Sequence, residues 1–275
     1  MNGEIAQLIA LAAHGNPLLA SPDTPATDLA SNSTFQYVGA LSFTRARSVL
    51  GLQLPASVDA RTTPEWYRVL RRQGARRLQL SRVLQRRPAR LEPHVAVAFA
   101  GNVEIVIVAL LPASKTAVWT PHWRIKDPKA PDHRIWAVEI SVAEGPPMSE
   151  DIDALSVPSA AHALERELEA IRDFAARQGM TTWVPWFERA ERLLAGQDAH
   201  PPYHPDLFPE TGYSSAARRL LNGCIGGWVF GGMGSWNDCA PNDPAEQARY
   251  RSLSRSLFDA VMNGVVAATN AFESA

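Results

Sequence analysis

The chain has 275 residues, enough to bury a large core without a metal or a disulfide. Hydrophobic residues make up 46%, as in an ordinary globular protein. A formal net charge of -1 argues against a dedicated nucleic-acid binder and, with little charge repulsion, leaves a homo-oligomer open.

Residues 2–14 predict a short amphipathic helix, with Ile5, Leu8, Ile9 and Ala12 on one face and Gly15 as its stop. A loop rich in Pro, Ser, Thr and Asp follows, from Asn16 to Ser33. Residues 35–43 then alternate as a strand carrying Phe35, Tyr37, Gly39, Leu41 and Phe43 on one parity. Thr62-Thr63-Pro64-Glu65 combines a cap, a first-turn proline and a capping-box carboxylate, so a helix carrying Trp66, Val69 and Leu70 should run to Gly74. Leu78, Leu80 and Val83 predict a second strand.

The strongest strand signal is residues 94–111. His94–Ala100 and Val103–Leu111 flank Gly101-Asn102, a pair suited to a two-residue hairpin. Val103–Leu111 is apolar on both parities, which predicts a strand covered on both faces. Trp119, Trp123 and Ile125 share one parity of a further strand, as do Trp136, Val138, Ile140 and Val142 of another. Short links between these segments predict antiparallel pairing.

Helices dominate the second half. From Ser159 as cap, Ala161, Leu164, Leu168, Ile171 and Ala175 make a helical stripe that ends at Gly179. Further helices are expected over 185–195 and 214–222, separated by a proline-rich ordered loop over 197–212. Asp243-Pro244-Ala245-Glu246 starts the longest helix, whose stripe runs from Tyr250 to Phe272 over roughly 40 Å. The expected fold is a single α+β domain over 1–275, strand-rich over 34–142 and helix-rich over 159–272. An antiparallel sheet of about five to seven strands is covered by helices, with a long C-terminal helix.

Few residues carry chemistry by pattern. The start, Met1-Asn2-Gly3-Glu4, has no basic and apolar leader, and the longest apolar run is too short for a bilayer. A cytoplasmic protein without a membrane partner is therefore expected. Cys224 and Cys239 read as two reduced thiols, and Cys224, among apolar residues, as an inert one. Arginine outnumbers lysine 24 to 3, and alanine is abundant, which fits a GC-rich bacterial genome.

The glycine-rich stretch 226–238 lacks the Lys-Ser/Thr ending of a phosphate loop and has no G-x-G-x-x-G. It reads as a buried strand with a tight turn, or as a surface loop presenting Trp236, Asn237 and Asp238 to a partner. Nine arginines, Arg71, Arg72, Arg76 and Arg77 among them, lie between Trp66 and Leu91 without one carboxylate. They suit either an acidic protein face or pairing with residues 139–173, which hold nine carboxylates against two arginines.

His200-Pro201-Pro202-Tyr203-His204-Pro205-Asp206 offers two imidazoles and a carboxylate, but its prolines forbid a helical ligand pair, so no metal is expected. His122 and His133 flank a loop between strands. No cofactor motif and no G-x-S-x-G nucleophile elbow occurs, and no catalytic residue is assigned.

The stretch Phe230–Asp238, followed by a Tyr250-x-x-Leu253 helix that runs into Val265–Asn270, resembles the C-terminal part of uncharacterised bacterial cytosolic proteins associated with polymorphic-toxin immunity. The resemblance covers the last quarter of the chain and implies a protein that binds and blocks a cognate toxin. The leading expectation is thus a non-enzymatic protein-binding protein, with Trp236, Asn237, Asp238, Arg71, Arg72, Arg76, Arg77 and His122 as its contact candidates. The alternative is a hydrolase built around loop 226–238 with Asp238, His122 or His204.

Overall fold

The computed structural model describes residues 1–21, 23–49, 52–83, 91–102, 104–143 and 155–274. Its centre is a six-stranded sheet in the order β2-β1-β6-β5-β4-β3. The strands are β1 (Val38–Val49), β2 (Leu52–Ala60), β3 (Arg77–Arg82), β4 (Ile105–Leu110), β5 (Thr116–Ile125) and β6 (Trp136–Ala143). Neighbours pair antiparallel except β1 and β6, which run parallel because the chain returns to β1 only after building the other half of the sheet. The fold is α+β, with a mixed, mostly antiparallel sheet.

The helices are α1 (Gly3–Ala20), α2 (Thr63–Arg72), α3 (Pro93–Ala96), α4 (Val157–Arg177), α5 (Val184–Ala195), α6 (Ser215–Gly226) and α7 (Pro244–Asn270). Helices α4 to α7 pack on one another, and α7 also meets β3. Helix α1 lies between this helical layer and strands β3 and β4. One apolar cluster runs from α1 across the sheet to α7. At the sheet it centres on Phe43, stacked 4.5 Å from Trp66, which meets Trp119 edge-on at 5.4 Å.

Several expectations are corrected. Residues 94–100 are not a strand: Pro93 starts a short helix there, and β4 begins at Ile105, so the hairpin does not form. Gly101 still takes a positive φ of 82°, but in a turn after that helix. Strand β4 is buried along both faces between β3 and β5, as its double apolar parity predicted.

Strand β1 starts at Val38 because Ser33–Phe35 forms a 3-10 turn capped by Asn32. Helix α1 runs through Gly15 to Ala20 and is buried nearly all round, not on one face. Ser156, not Ser159, caps α4, its hydroxyl accepting from the Ser159 amide. Helix α6 continues into the glycine-rich stretch, which contains no strand: Trp228, Val229 and Phe230 are buried there in irregular backbone.

Strand β3 is an edge, yet the outer backbone groups of Leu78 and Leu80 are satisfied. The Asn16 side chain donates to the Leu78 carbonyl at 3.0 Å and accepts from its amide at 2.7 Å. Asn270, at the end of α7, does the same for Leu80, at 2.9 and 2.7 Å. Each primary amide presents the donor and acceptor that a seventh strand would present.

Candidate functional site

The loop after α5 is held to the N-terminal part of the chain by Asp206. Its backbone oxygen takes hydrogen bonds from Asn32 Nδ2 at 2.7 Å and from His14 Nε2 at 3.1 Å. Its carboxylate accepts the Ser33 amide at 2.8 Å and the Ser33 hydroxyl. That same hydroxyl lies 3.0 Å from His204 Nδ1.

Proton counting fixes the roles. A hydroxyl has one hydrogen and a carboxylate only accepts, so Ser33 gives its hydrogen to Asp206 and must receive one from His204. The His204 proton then sits on Nδ1, and Nε2 keeps its lone pair. His204 is held in left-handed backbone at φ 54°, a costly conformation for a residue with a Cβ. Burial pushes its pKa down, the nearby Met1 amine adds to this, and Asp206 opposes it.

His204 borders a cleft of about 540 Å³. One side is the start of α1, with Asn2, Gly3 and Glu4; another is the turn Val97–Ala100. Trp123 and Trp136 come from β5 and β6, where Trp123 opposes Val138 and Trp136 opposes Ile125. Their Cβ atoms therefore share a face, and the rings lie 5.2 Å apart. Trp228 and Phe230, edge to face at 5.9 Å, come from the segment after α6, beside Tyr203. Tyr203 is fixed by donating to the Ile225 carbonyl at 3.0 Å.

Glu4 is the carboxyl of this cleft. The residue is 4% exposed, and its oxygens accept the Gly101 amide at 2.9 and 3.2 Å. Burial raises its pKa, and the Gly101 hydrogen bond offsets part of that rise. Asn2 caps the helix start, accepting from the Glu4 amide at 2.7 Å and donating to the Val97 carbonyl at 2.9 Å. Trp123 Nε1 is buried with no hydrogen-bond partner among the described residues.

The residues singled out from sequence lie elsewhere. Trp236 is fully buried, not presented: Nε1 donates to Ser254 Oγ at 2.8 Å and the ring stacks on Tyr250 at 5.2 Å. Asn237 is half-buried and donates to the His94 carbonyl at 3.0 Å, which ties the loop to α3. Asp238 is exposed and accepts the Gly234 amide at 2.6 Å. The residue this loop does present is Met233, fully exposed between Gly232 and Gly234.

Arg71 and Arg72 end α2, where their charge suits the helix dipole. With Arg76 they are exposed. Arg77 reaches the carbonyls of Asn270 and, at 3.2 Å, Phe272 beyond the end of α7. Arg82 pairs with Asp259 at 2.8 Å and Glu104 at 3.4 Å, so its partners do not come from residues 139–173. In that acidic segment Glu139 accepts from Thr44, and Glu167 and Asp173 pair with the adjacent Arg166 and Arg172. Arg86, Arg87 and Arg90 lie outside the described residues.

His122 is exposed on β5 and shares a hydrogen bond with Ser141 Oγ at 3.0 Å. Asp238, His122 and His204 thus have three separate sets of partners, and the grouping expected for a hydrolase does not assemble. Trp228, Phe230 and Gly231 of the glycine-rich stretch do border the cleft beside His204. Cys224 is fully buried, and burial pushes its thiol pKa up. Among the described residues no three His, Cys, Asp or Glu side chains stand together to hold a metal ion, and no helix is long and apolar enough to cross a membrane.

Sequence reasoning named His204 and Asp206 but missed Ser33, which stands 171 residues from His204 and carries no local motif. Glu4 was missed because it reads as an ordinary first-turn acid. In comparisons with protein-family models, curated proteins and solved structures, nothing matches the chain.

Proposed function

We propose that the cleft is a small-molecule site and that the protein is a hydrolase-type enzyme with His204 as its general base. The observation that supports this most is the relay Asp206–Ser33–His204, which leaves a basic Nε2 on a histidine that borders an aromatic cleft. With its pKa pushed down, the ring is neutral at neutral pH and ready to take a proton. Nε2 would remove a proton from a water attacking the bound substrate. Ser33 and Asp206 act as positioning residues: they fix the tautomer and stabilise the imidazolium that forms.

The test has two arms. Nitrogen NMR should find His204 protonated on Nδ1, and Ser33→Ala should abolish that preference. Against a panel of chromogenic esters and amides, His204→Gln should lower turnover by about 10²- to 10⁴-fold. A wild-type His204 protonated on Nε2, or turnover unchanged in His204→Gln, sinks the assignment.

A second reading, a protein-binding immunity protein that blocks a cognate toxin, is favoured by the fully exposed Met233 and the exposed Arg72 and Arg76. It predicts a stable complex with the product of a neighbouring gene, weakened by Met233→Asp. Size-exclusion chromatography showing the two proteins eluting separately refutes it.

A further inference from the structure

We propose that the ligand of this cleft carries an organic ammonium group, held against the indole faces of Trp123, Trp136 and Trp228 and beside the carboxylate of Glu4. The inference rests on the small-molecule reading of the cleft and names the chemical class of what enters it. Three observations carry it. Two aromatic pairs from distant parts of the chain, Trp123 with Trp136 and Trp228 with Phe230, border one space. A ring face is negative, so indoles that border a cleft attract a soft cation and gain most where water is excluded. Glu4 adds a buried carboxyl whose oxygens are met by the Gly101 amide alone among the described residues, with no Lys or Arg bridged to it. A buried carboxylate without a counter-ion is costly, and a ligand cation supplies one.

The competing ligand chemistries fit less well. The start of α1 also faces the cleft, and a helix N-terminus favours anions. Here, however, Asn2 already takes the Glu4 amide with its side chain and the Ala6 amide with its carbonyl, and the Glu4 carboxyl stands beside them. An uncharged ligand could fill the aromatic walls but would leave Glu4 without a counter-charge. The other titratable side chains on the walls do not oppose a cation: burial favours the neutral forms of both Tyr203 and His204.

The test uses the full chain at neutral pH and calorimetric titration with three probes. These are choline, its uncharged carbon isostere neohexanol, and acetate. Choline should bind about tenfold or more tightly than neohexanol, the margin expected from desolvated ring faces. Glu4→Gln, which keeps an acceptor for the Gly101 amide, should shrink that margin several-fold and leave neohexanol binding unchanged. Trp136→Leu, at a half-buried position, should weaken choline more than neohexanol. Equal binding of choline and neohexanol overturns the ammonium inference and leaves the cleft reading standing. Preference for acetate overturns it too, in favour of the helix terminus. Failure of all three probes at millimolar concentration overturns both.

Discussion

Glu4 and His204 face one cleft with opposite shifts, and each shift has a consequence for stability. Burial raises the Glu4 pKa above its ordinary value, so between the two values the native state holds more protons than the unfolded chain. Stability from this group is therefore present at low pH and lost as pH rises through its folded pKa. The histidines His14, His94 and His204 work the other way: their pKa values are lowered, so stability is lost as pH falls below about 6.5. The expected outcome is that Glu4→Gln gains stability over wild type as pH rises from acid to neutral. Urea midpoints of the two proteins across that range check it, and a constant difference rejects it. His204 and Asp206 were legible as residue types but not as partners of Ser33. Trp236 was offered as a contact residue although it is buried, because its burial depends on Tyr250 and Ser254 in α7, the next helix, and no pattern inside a glycine-rich loop shows that.

At the scale of elements, some local signals held, and others were overridden by the surroundings of the segment. The caps at Thr62 and Asp243 form as their residues dictate, since each side chain reaches an amide two or three positions on. The apolar run over 94–100 failed as a strand because Pro93 suits a first helical turn and Glu4, from α1, takes the Gly101 amide. Strand β2 went unread although Leu52, Leu54, Ala56, Val58 and Ala60 alternate with Gln53, Pro55, Ser57 and Asp59, because Pro55 inside the run speaks against a strand.

The edge of β3 had no sequence signal at all, since an asparagine inside a helix reads as an indifferent residue. Replacing Asn16 by Leu leaves one amide and one carbonyl of Leu78 unpaired in a buried setting. The expected cost is about 2–4 kcal/mol, seen as a lower urea midpoint. Asn270→Leu should cost less, because that end of α7 is partly open to water. A loss under about 1 kcal/mol for Asn16→Leu would show that water takes over both bonds.

For the whole molecule, the α+β layering followed from the order of strand and helix patterns along the chain. The parallel β1–β6 pair did not, because short links predict only which strands lie near, not how a returning chain joins the first one. The same apolar cluster touches α1, the sheet and α7, and α1 is buried between the two layers. Sheet and helices should therefore unfold together: tryptophan fluorescence and far-ultraviolet circular dichroism should trace one coincident urea transition. Two separated midpoints would mean that the helical layer stands without the sheet.

Asn16 and Asn270 finish the rim of the sheet from two ends of the sequence, one near residue 16 and one near residue 270. Loosening the last turn of α7 would bare the upper half of that rim, and tugging α1 away would bare the lower. Either loss turns a finished border into a template onto which a stray strand can zip, so clumping should begin with damage at a helix terminus and not with melting of the interior.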